Sequence, residues 1–240
     1  MIFSMTACSK VSEKVSELKG EGISVEEGWT IHEDGSFVYA AVLENTTEDK
    51  ILKSGVIHVR ALDEEGNDLC VSSLDPGINS FGNLYPGEKT AVVVDSYVND
   101  ETLFSGTPVK FEYSIYETKW VKESELPYIS IKDAERIATN GYTNIYSFTL
   151  KNNSDIDFDW KKIKDEQNMY TLNCYVYEII RNGEGNIVGG SQLDTYIYEE
   201  ETGYPVIGAG EETSTEAGGA LETSLFESNE NYELYVRWTI

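Results

Sequence analysis

Basic residues are scarce in this chain. Its 240 residues include 18 lysines and arginines against 43 aspartates and glutamates, which gives a formal net charge of -25 and a pI near 4.3. A field of this sign repels phosphate backbones and anionic lipid headgroups. The composition therefore excludes nucleic-acid binding as a function and disfavours direct binding to anionic membrane surfaces.

Histidine and cysteine are also rare, with two and three residues respectively. Cys8, Cys70 and Cys174 lie far apart and form no C-x-x-C pair, whereas a zinc site needs clustered ligands. An odd, scattered set is not typical of a disulfide framework either. We therefore predict no metal site and no cofactor. Cys70 and Cys174 are interpreted as small buried apolar side chains in separate domains.

Long apolar runs and common catalytic motifs are missing. The sequence has no run of about 18 apolar residues that would span a bilayer. It has no G-x-S-x-G nucleophile elbow and no G-x-x-x-x-G-K-S/T phosphate loop. His58 shares one face of its segment with Arg60, so we interpret it as a solvated sheet residue rather than a general base. The sequence predicts no enzyme, and a hydrolase or hydrolase accessory with unassigned carboxylates is the alternative.

The chain does contain a series of short strand signals. Seven segments are rich in β-branched and aromatic residues, and turn residues such as Asp34-Gly35 and Pro86-Gly87 separate them. The segments are Phe37–Leu43, Val56–Leu62, Ala91–Val94, Val109–Tyr116, Ile145–Leu150, Leu172–Ile180 and Tyr232–Ile240. Many short strands at regular spacing predict an all-β fold of the sandwich or barrel type.

An internal repeat divides these strands into two sets. Matching markers in the two copies are Asn45 and Asn152, Gly66 and Gly185, Gly87-Glu88 and Gly210-Glu211, and the segments Val109–Tyr113 and Tyr232–Val236. In the first copy Phe111 follows Gly87 by 24 positions, and in the second copy Leu234 follows Gly210 by the same number. We predict two tandem Ig-like antiparallel β-sandwiches, residues 23–122 and 123–240, with a junction between Lys119 and Pro127. Each half is expected to fold alone.

The second copy is the longer one. Asn45 and Gly66 are 21 positions apart, whereas Asn152 and Gly185 are 33 apart. The spacing predicts about a dozen extra residues near Asp157–Asn168, in a longer loop.

The N-terminal segment carries a processing pattern. Met5-Thr6-Ala7-Cys8 follows a short apolar stretch and precedes a polar segment. This pattern resembles the end of a bacterial lipoprotein signal peptide, although no basic residue precedes the apolar stretch. The resemblance implies a diacylglyceryl group on Cys8, removal of residues 1–7 and a flexible tether over residues 8–22. The alternative is an ordinary N-terminal segment with a chance cysteine.

The repeat also resembles the Ig-like modules of bacterial surface lipoproteins, including the FxLYD type. In the first half the match rests on Asn45-Thr46-Thr47, Asp63, Gly66 and Pro86-Gly87-Glu88. The naming motif itself departs, because Val59, Ala61 and Leu62 replace its Phe, Leu and Tyr. The resemblance implies β-sandwiches in an extracytoplasmic setting, and it carries over no catalytic residue.

Tyrosines concentrate in the second half, where 11 of the 16 lie beyond residue 121. Tyr175 and Tyr177 alternate with an apolar set, as do Tyr196 and Tyr198. A hairpin that turns near Gly185 would place Tyr175 opposite Tyr196. We predict that these four tyrosines share one solvent-facing sheet surface. They would serve either as cross-strand reinforcement or as a platform for sugar rings or a protein partner.

Three carboxylates form a further candidate site. Asp155, Asp157 and Asp159 would lie on one side of a strand, where they could supply calcium ligands. The simpler interpretation is a solvent-facing edge with Ile156 and Phe158 turned inward.

Together these patterns predict a non-enzymatic, lipid-anchored protein on the outside of a bacterial cell. It would act as a binding or structural display module for a protein or glycan partner, and would reach the membrane only through the lipid on Cys8. The alternatives are a carbohydrate-binding surface protein that uses the second-half tyrosines, and the hydrolase considered above.

Overall fold

The computed structural model describes residues 21–96, 103–140, 143–159, 162, 173–195, 206–220 and 231–239. Its strands are β1 (Ile23–Ile31), β2 (Phe37–Asn45), β3 (Ile51–Leu62), β4 (Ile78–Leu84), β5 (Lys89–Ser96), β6 (Lys110–Val121), β7 (Ile129–Asn140), β8 (Thr143–Asn152), β9 (Phe158–Asp159), β10 (Asn173–Arg181), β11 (Ile187–Thr195), β12 (Val206–Ile207), β13 (Glu212–Ala220) and β14 (Asn231–Thr239). The predicted all-β class is confirmed, and each of the seven predicted segments overlaps a strand. Among the described residues no helix is long and apolar enough to cross a membrane.

The first half consists of two antiparallel layers. One layer has the strand order β1-β2-β5 and the other has the order β6-β3-β4. Their facing side chains form one buried cluster, because alternate residues of each strand point to the same side. The largest fully buried members are Phe37, Tyr39, Leu43, Leu52, Ile57, Phe81 and Leu84. This arrangement fits the predicted β-sandwich class.

The second half repeats this strand order. Strands β7-β8-β13 correspond to β1-β2-β5, and β14-β10-β11 corresponds to β6-β3-β4. A second buried cluster fills the space between these layers, and it includes Phe148, Val176, Leu193 and Trp238. β11 pairs with β10 over most of its length and with β13 at its end, and β14 meets β4 at the pair Trp238 and Gly82. A nine-stranded sheet therefore runs through both halves.

The repeat extends to the turn after the second strand of each half. The Asn45 amide donates hydrogen bonds to the carbonyls of Lys50 (2.7 Å) and Leu84 (2.8 Å), and its oxygen accepts from Thr47. Asn152 donates in the same way to the carbonyls of Ile156 (2.7 Å) and Ile207 (3.1 Å). Both asparagines have no exposed surface. The predicted equivalence of the two residues is confirmed.

The central hairpins match as well. Gly66 and Gly185 have φ values of 82° and 88°, which only glycine adopts readily. In each turn the glycine N–H donates to the carbonyl three residues earlier, Asp63 in one half and Asn182 in the other. The hairpins therefore place residue 59 of β3 at the same position as residue 178 of β10.

The inserted residues interrupt a strand. β3 is continuous from Ile51 to Leu62, whereas its counterpart is split into β9 and β10. Phe158 of β9 pairs with Ile207 of β12, and in the first half Leu52 of β3 pairs with Leu84 of β4 in the same way. β9 therefore corresponds to the first part of β3. The extra residues thus lie between Asp159 and Asn173. Most of that segment is outside the described residues.

One part of the predicted alignment is wrong by two residues. Phe111 lies opposite Ala61, and Tyr232 lies opposite Ile180, the counterpart of Ala61. Phe111 therefore corresponds to Tyr232 rather than to Leu234. The connection from β13 to β14 is therefore two residues shorter than that from β5 to β6. The equal spacing from Gly87 to Phe111 and from Gly210 to Leu234 concealed this difference in length.

The two halves are joined by a third buried cluster. Its buried members are Ala40, Val42 and Ala91 from the first half and Tyr177, Ile179 and Ile187 from the second. Hydrogen bonds also cross the junction, from Thr30 Oγ1 to the Val188 carbonyl (2.6 Å) and from Thr90 Oγ1 to the Val236 carbonyl (2.9 Å). This packing disagrees with the expectation that each half folds alone, because separation would expose apolar surface on both sides.

The position of the boundary between residues 122 and 123 stays a prediction. Trp120 packs against the cluster of the first half and Leu126 belongs to that of the second, so the connection between the cores lies between them.

Candidate functional site

The predicted tyrosine surface is not solvent-facing where the structure describes it. Tyr177 is 3% exposed and lies in the third cluster, and Tyr175 is half-buried against the same cluster. The predicted alternation is right, since Val176 points into the core of the second half. The prediction of exposure is wrong because the first half covers the other face of β10.

The predicted register of this hairpin is also shifted by two residues. Tyr177 pairs with Gln192 rather than with Asp194, and its hydroxyl donates to Gln192 Oε1 (2.8 Å). The pairing differs because the turn is closed by a hydrogen bond between Asn182 and Asn186 and is centred before Gly185. An irregularity between Ile180 and Arg181 then shifts the register by one residue. Tyr196 and Tyr198 lie outside the described residues, as does Cys8.

The three aspartates do not line one strand. Asp155 and Asp157 precede β9 and are exposed, and only Asp159 belongs to the strand. Asp157 accepts a hydrogen bond from the Ala209 N–H (2.9 Å), and Asp159 accepts one from the Lys162 N–H (3.0 Å). Phe158 is buried, as the simpler interpretation predicts. In the described ranges no group of three or more His, Cys, Asp or Glu side chains could hold a metal ion.

His58 and Arg60 lie on the outward face of β3, as predicted. His58 Nε2 is 2.8 Å from Asp75 Oδ2, and Arg60 Nη2 is 2.8 Å from Glu112 Oε2. Burial opposes ionisation of Asp75, but hydrogen bonds from His58 and Gly77 outweigh it and lower its pKa. Each residue has a structural partner.

Cys70 and Cys174 are free thiols that pack against the separate cores of the first and second halves. Burial raises the pKa of Cys70 to about 11 and that of Cys174 to about 12. Both side chains are therefore protonated thiols near neutral pH, which suits the predicted role as small apolar groups.

A buried polar cluster that the sequence analysis missed lies inside the second half. At its centre is Glu178 of β10, which has no exposed surface. Its Oε1 accepts hydrogen bonds from the Tyr146 hydroxyl (2.5 Å) and the Asn144 amide (3.2 Å). Oε2 is buried as well. Ser191, which lies opposite Glu178 across β10 and β11, places its buried hydroxyl close enough to lower the pKa of this carboxyl group by hydrogen bonding.

Arg136 of β7 forms the outer side of this cluster, with 23% of its side chain exposed. One guanidinium nitrogen is 4.0 Å from Glu178 Oε1, and Nε donates to the Tyr146 hydroxyl (3.3 Å). The guanidinium also lies 4.9 Å from the centre of the Tyr232 ring and 5.7 Å from that of Tyr146. It therefore interacts with both a carboxylate and two aromatic rings.

Burial raises the pKa of Glu178, because the apolar surroundings disfavour its charged form. The hydrogen bond from Tyr146, the charge of Arg136, the Asn144 amide and the Ser191 hydroxyl offset part of this effect by lowering the pKa. Burial and the neighbouring carboxylate also raise the pKa of Tyr146. Glu178 is thus a carboxyl group that can accept or donate a hydrogen bond from a fixed position.

The corresponding place in the first half is mostly apolar. In the first half Val59 takes the position of Glu178, Phe37 that of Asn144, and Phe111 that of Tyr232. Trp29 takes the position of Arg136, because each lies opposite the tyrosine of the neighbouring strand, Tyr39 or Tyr146. Of the compared positions only the tyrosine, Tyr39 or Tyr146, is the same in both halves. The Tyr39 hydroxyl also donates to a carboxylate, that of Glu27 (2.6 Å), but Glu27 is an exposed residue of β1. The second half differs in placing its carboxyl group on the central strand, with no exposed surface.

The sequence did contain a signal for this site. Cys174, Val176, Glu178 and Ile180 share one face of β10 by simple alternation. An acidic residue on the inward face of a strand needs a partner or a role. Its partners come from β7, β8 and β14, and only the folded structure brings these strands together.

Compared with known proteins, the chain matches no protein-family model and no curated sequence.

Proposed function

We propose that the chain is a non-enzymatic, extracytoplasmic binding or display protein, built from two tandem Ig-like β-sandwiches and anchored by a lipid on Cys8. The shared strand order of the halves supports the Ig-like assignment. So do the equivalent turns at Asn45 and Asn152, which are the positions on which the resemblance to FxLYD-type modules rests.

The observation that carries the display role is the packed junction. The two halves bury side chains against each other, and hydrogen bonds from Thr30 and Thr90 fix their register. Arg181 of the second half also forms a bidentate ion pair with Glu26 of the first, at 2.5 and 2.8 Å. A pair of modules joined in this way holds the exposed surfaces at fixed relative positions, which is what a display protein needs.

The Glu178 cluster is the best-supported place for a binding site in the second half. It replaces side chains that pack well in the first half, and it places a carboxyl group with no exposed surface at the centre of the core. Such a group destabilises a fold unless the chain, a ligand or an ordered water pairs with all of its polar atoms.

The alternatives receive less support. A sugar platform built on Tyr175 and Tyr177 disagrees with their burial in the junction. A glycosidase needs two carboxyl groups about 5–9.5 Å apart. The partners of Glu178 in the described chain are a phenol, an amide, a serine hydroxyl and a guanidinium, and the absence of a carboxyl group among them suits binding better than hydrolysis.

Anchoring is tested by fractionating cells that express the natural gene. We expect the wild type to partition with membranes and its N-terminal peptide to carry the mass of a lipid on Cys8. Cys8→Ser is expected in the soluble fraction. Cys70→Ser, which removes a thiol inside the fold, serves as the control and should stay with membranes. An unmodified Cys8, or equal partitioning of Cys8→Ser and the wild type, would show that the anchor is wrong.

A further inference from the structure

Arg237 of β14 is a buried cation at the junction of the two halves. It is 6% exposed and lies on the face of β14 that is turned towards the first half. Its guanidinium stacks on the ring of Tyr177, with 4.4 Å from Cζ to the ring centre, and Tyr175 is its cross-strand partner. Two of the tyrosines predicted to form a ligand surface thus form the surroundings of a buried arginine.

The guanidinium is incompletely paired. Nε and Nη1 of Arg237 are both buried and have no hydrogen-bond partner in the part of the chain that the structure describes. Arg181 shows how this junction satisfies an arginine elsewhere. Its nitrogens donate to Glu26, to Glu233 and to the Gly185 carbonyl.

The missing partners matter more for an arginine than for other charged residues. A buried carboxyl such as Glu178 can take up a proton and become neutral, but a guanidinium stays charged at any pH that a folded protein tolerates. Contact with one aromatic ring compensates only part of the lost hydration of a buried cation. An anion that accepts from Nε–H and Nη1–H would supply both the counter-charge and the missing hydrogen bonds.

We propose that the junction binds a small oxyanion on Arg237. The ligand class is an inorganic phosphate, a sulfate or a carboxylate, since their oxygen atoms accept hydrogen bonds from guanidinium N–H groups. The site exists only when the halves are packed, because the face of β14 that carries Arg237 is covered by the first half. Bound anion therefore stabilises the packed junction.

The test uses the full chain at constant ionic strength, adjusted with sodium chloride. Sodium sulfate, phosphate or acetate is added at millimolar concentration, below the range in which sulfate and phosphate stabilise proteins by exclusion from the surface. We expect a saturable stabilisation of the wild type. At an anion concentration of 100 times Kd, the unfolding equilibrium constant should fall about 100-fold.

Arg237→Met keeps the length of the side chain and removes the charge, so it should lose this response. Arg60→Met removes an arginine that already has a partner, Glu112, and should keep it. The Nε–H signal of Arg237 in the ¹⁵N NMR spectrum of the wild type gives a readout that does not depend on any variant, and it should shift with the same saturation.

Equal stabilisation of the wild type and Arg237→Met, without a shift of the Arg237 signal, would mean an effect of salt elsewhere and would overturn the proposal. The absence of any saturable response in the wild type would also overturn it. The Arg237 charge would then be balanced within the chain. Selective response to one of the three anions identifies the ligand chemistry.

Discussion

Glu178 in the second half occupies the position that Val59 holds in the first. Both side chains are buried, at 0% and 3% exposure, and both point into the core of their own half. Two copies of one strand pattern thus differ at their centre by a carboxyl group. Val59 contributes apolar packing, whereas Glu178 organises Tyr146, Asn144 and Arg136.

This difference predicts a pH dependence of stability. The pKa of Glu178 is raised in the folded state, so the folded protein binds more protons than the unfolded chain at pH values above about 4.5. The stability that Glu178 contributes is therefore complete below the unfolded pKa and is lost as the pH rises through the folded pKa. Glu178→Gln should remove this part of the dependence.

The measurement is the free energy of unfolding at a series of pH values for the wild type and Glu178→Gln. Burial also raises the pKa of Glu88, to about 8, so Glu88 contributes its own pH dependence to both proteins. Subtracting the two free energies removes the Glu88 contribution and leaves that of Glu178. Glu64→Gln, at an exposed turn residue, is the control and should follow the wild type. Parallel curves for the wild type and Glu178→Gln would contradict the prediction.

The asparagines that close equivalent turns should be equally important. Asn45→Ala removes two hydrogen bonds to the carbonyls of Lys50 and Leu84 and leaves the buried Leu84 carbonyl without that donor. We expect a loss of about 2–4 kcal/mol in the free energy of unfolding. Asn152→Ala should show a similar loss.

Chemical denaturation of both variants checks this prediction. Asn153→Ala, next to Asn152 but exposed, should change stability by less than about 1 kcal/mol. A small effect of Asn45→Ala together with a large one of Asn152→Ala would show that the turns are not energetically equivalent.

Close packing of the junction predicts that it does not tolerate a methyl group at Gly28. A Cβ atom there would lie 2.0 Å from the Ile187 carbonyl oxygen in the other half. Gly28→Ala should therefore destabilise the protein by about 2–3 kcal/mol, because the halves must move apart. Gly183→Ala is the matched control, since no atom lies within 4 Å of its added Cβ. Equal stability of the two variants in thermal unfolding would mean that the junction is looser than described.

The sequence predicted the parts of the fold that depend on local pattern. All seven β-branched and aromatic segments overlap strands, and the turns at Asn45, Gly66 and their counterparts were recognised because turn chemistry is local. β13 was missed because its sequence, ETSTEAGGA, is polar or small, and among its described side chains it is Ala217 that packs into the core. β1 was missed because several acidic and polar residues interrupt its apolar pattern.

Features that depend on contacts between the halves could not be predicted. The alternation of side chains correctly placed Tyr177 on the face of β10 that points away from the core of the second half. Alternation does not show whether that face contacts solvent or a second layer of protein. The Glu178 cluster was missed for a related reason, since its members come from β7, β8, β10 and β14 and are up to about 100 positions apart in the sequence.

The most direct test of the account is calorimetry of the full chain, because the proposed display role requires the two halves to act as one rigid unit. The third cluster and the hydrogen bonds of Thr30 and Thr90 predict a single transition, with equal calorimetric and van't Hoff enthalpies. Limited proteolysis in the connection between Trp120 and Leu126 should then release no stable half. Two separate transitions, with a stable half recovered after cleavage, would contradict the account.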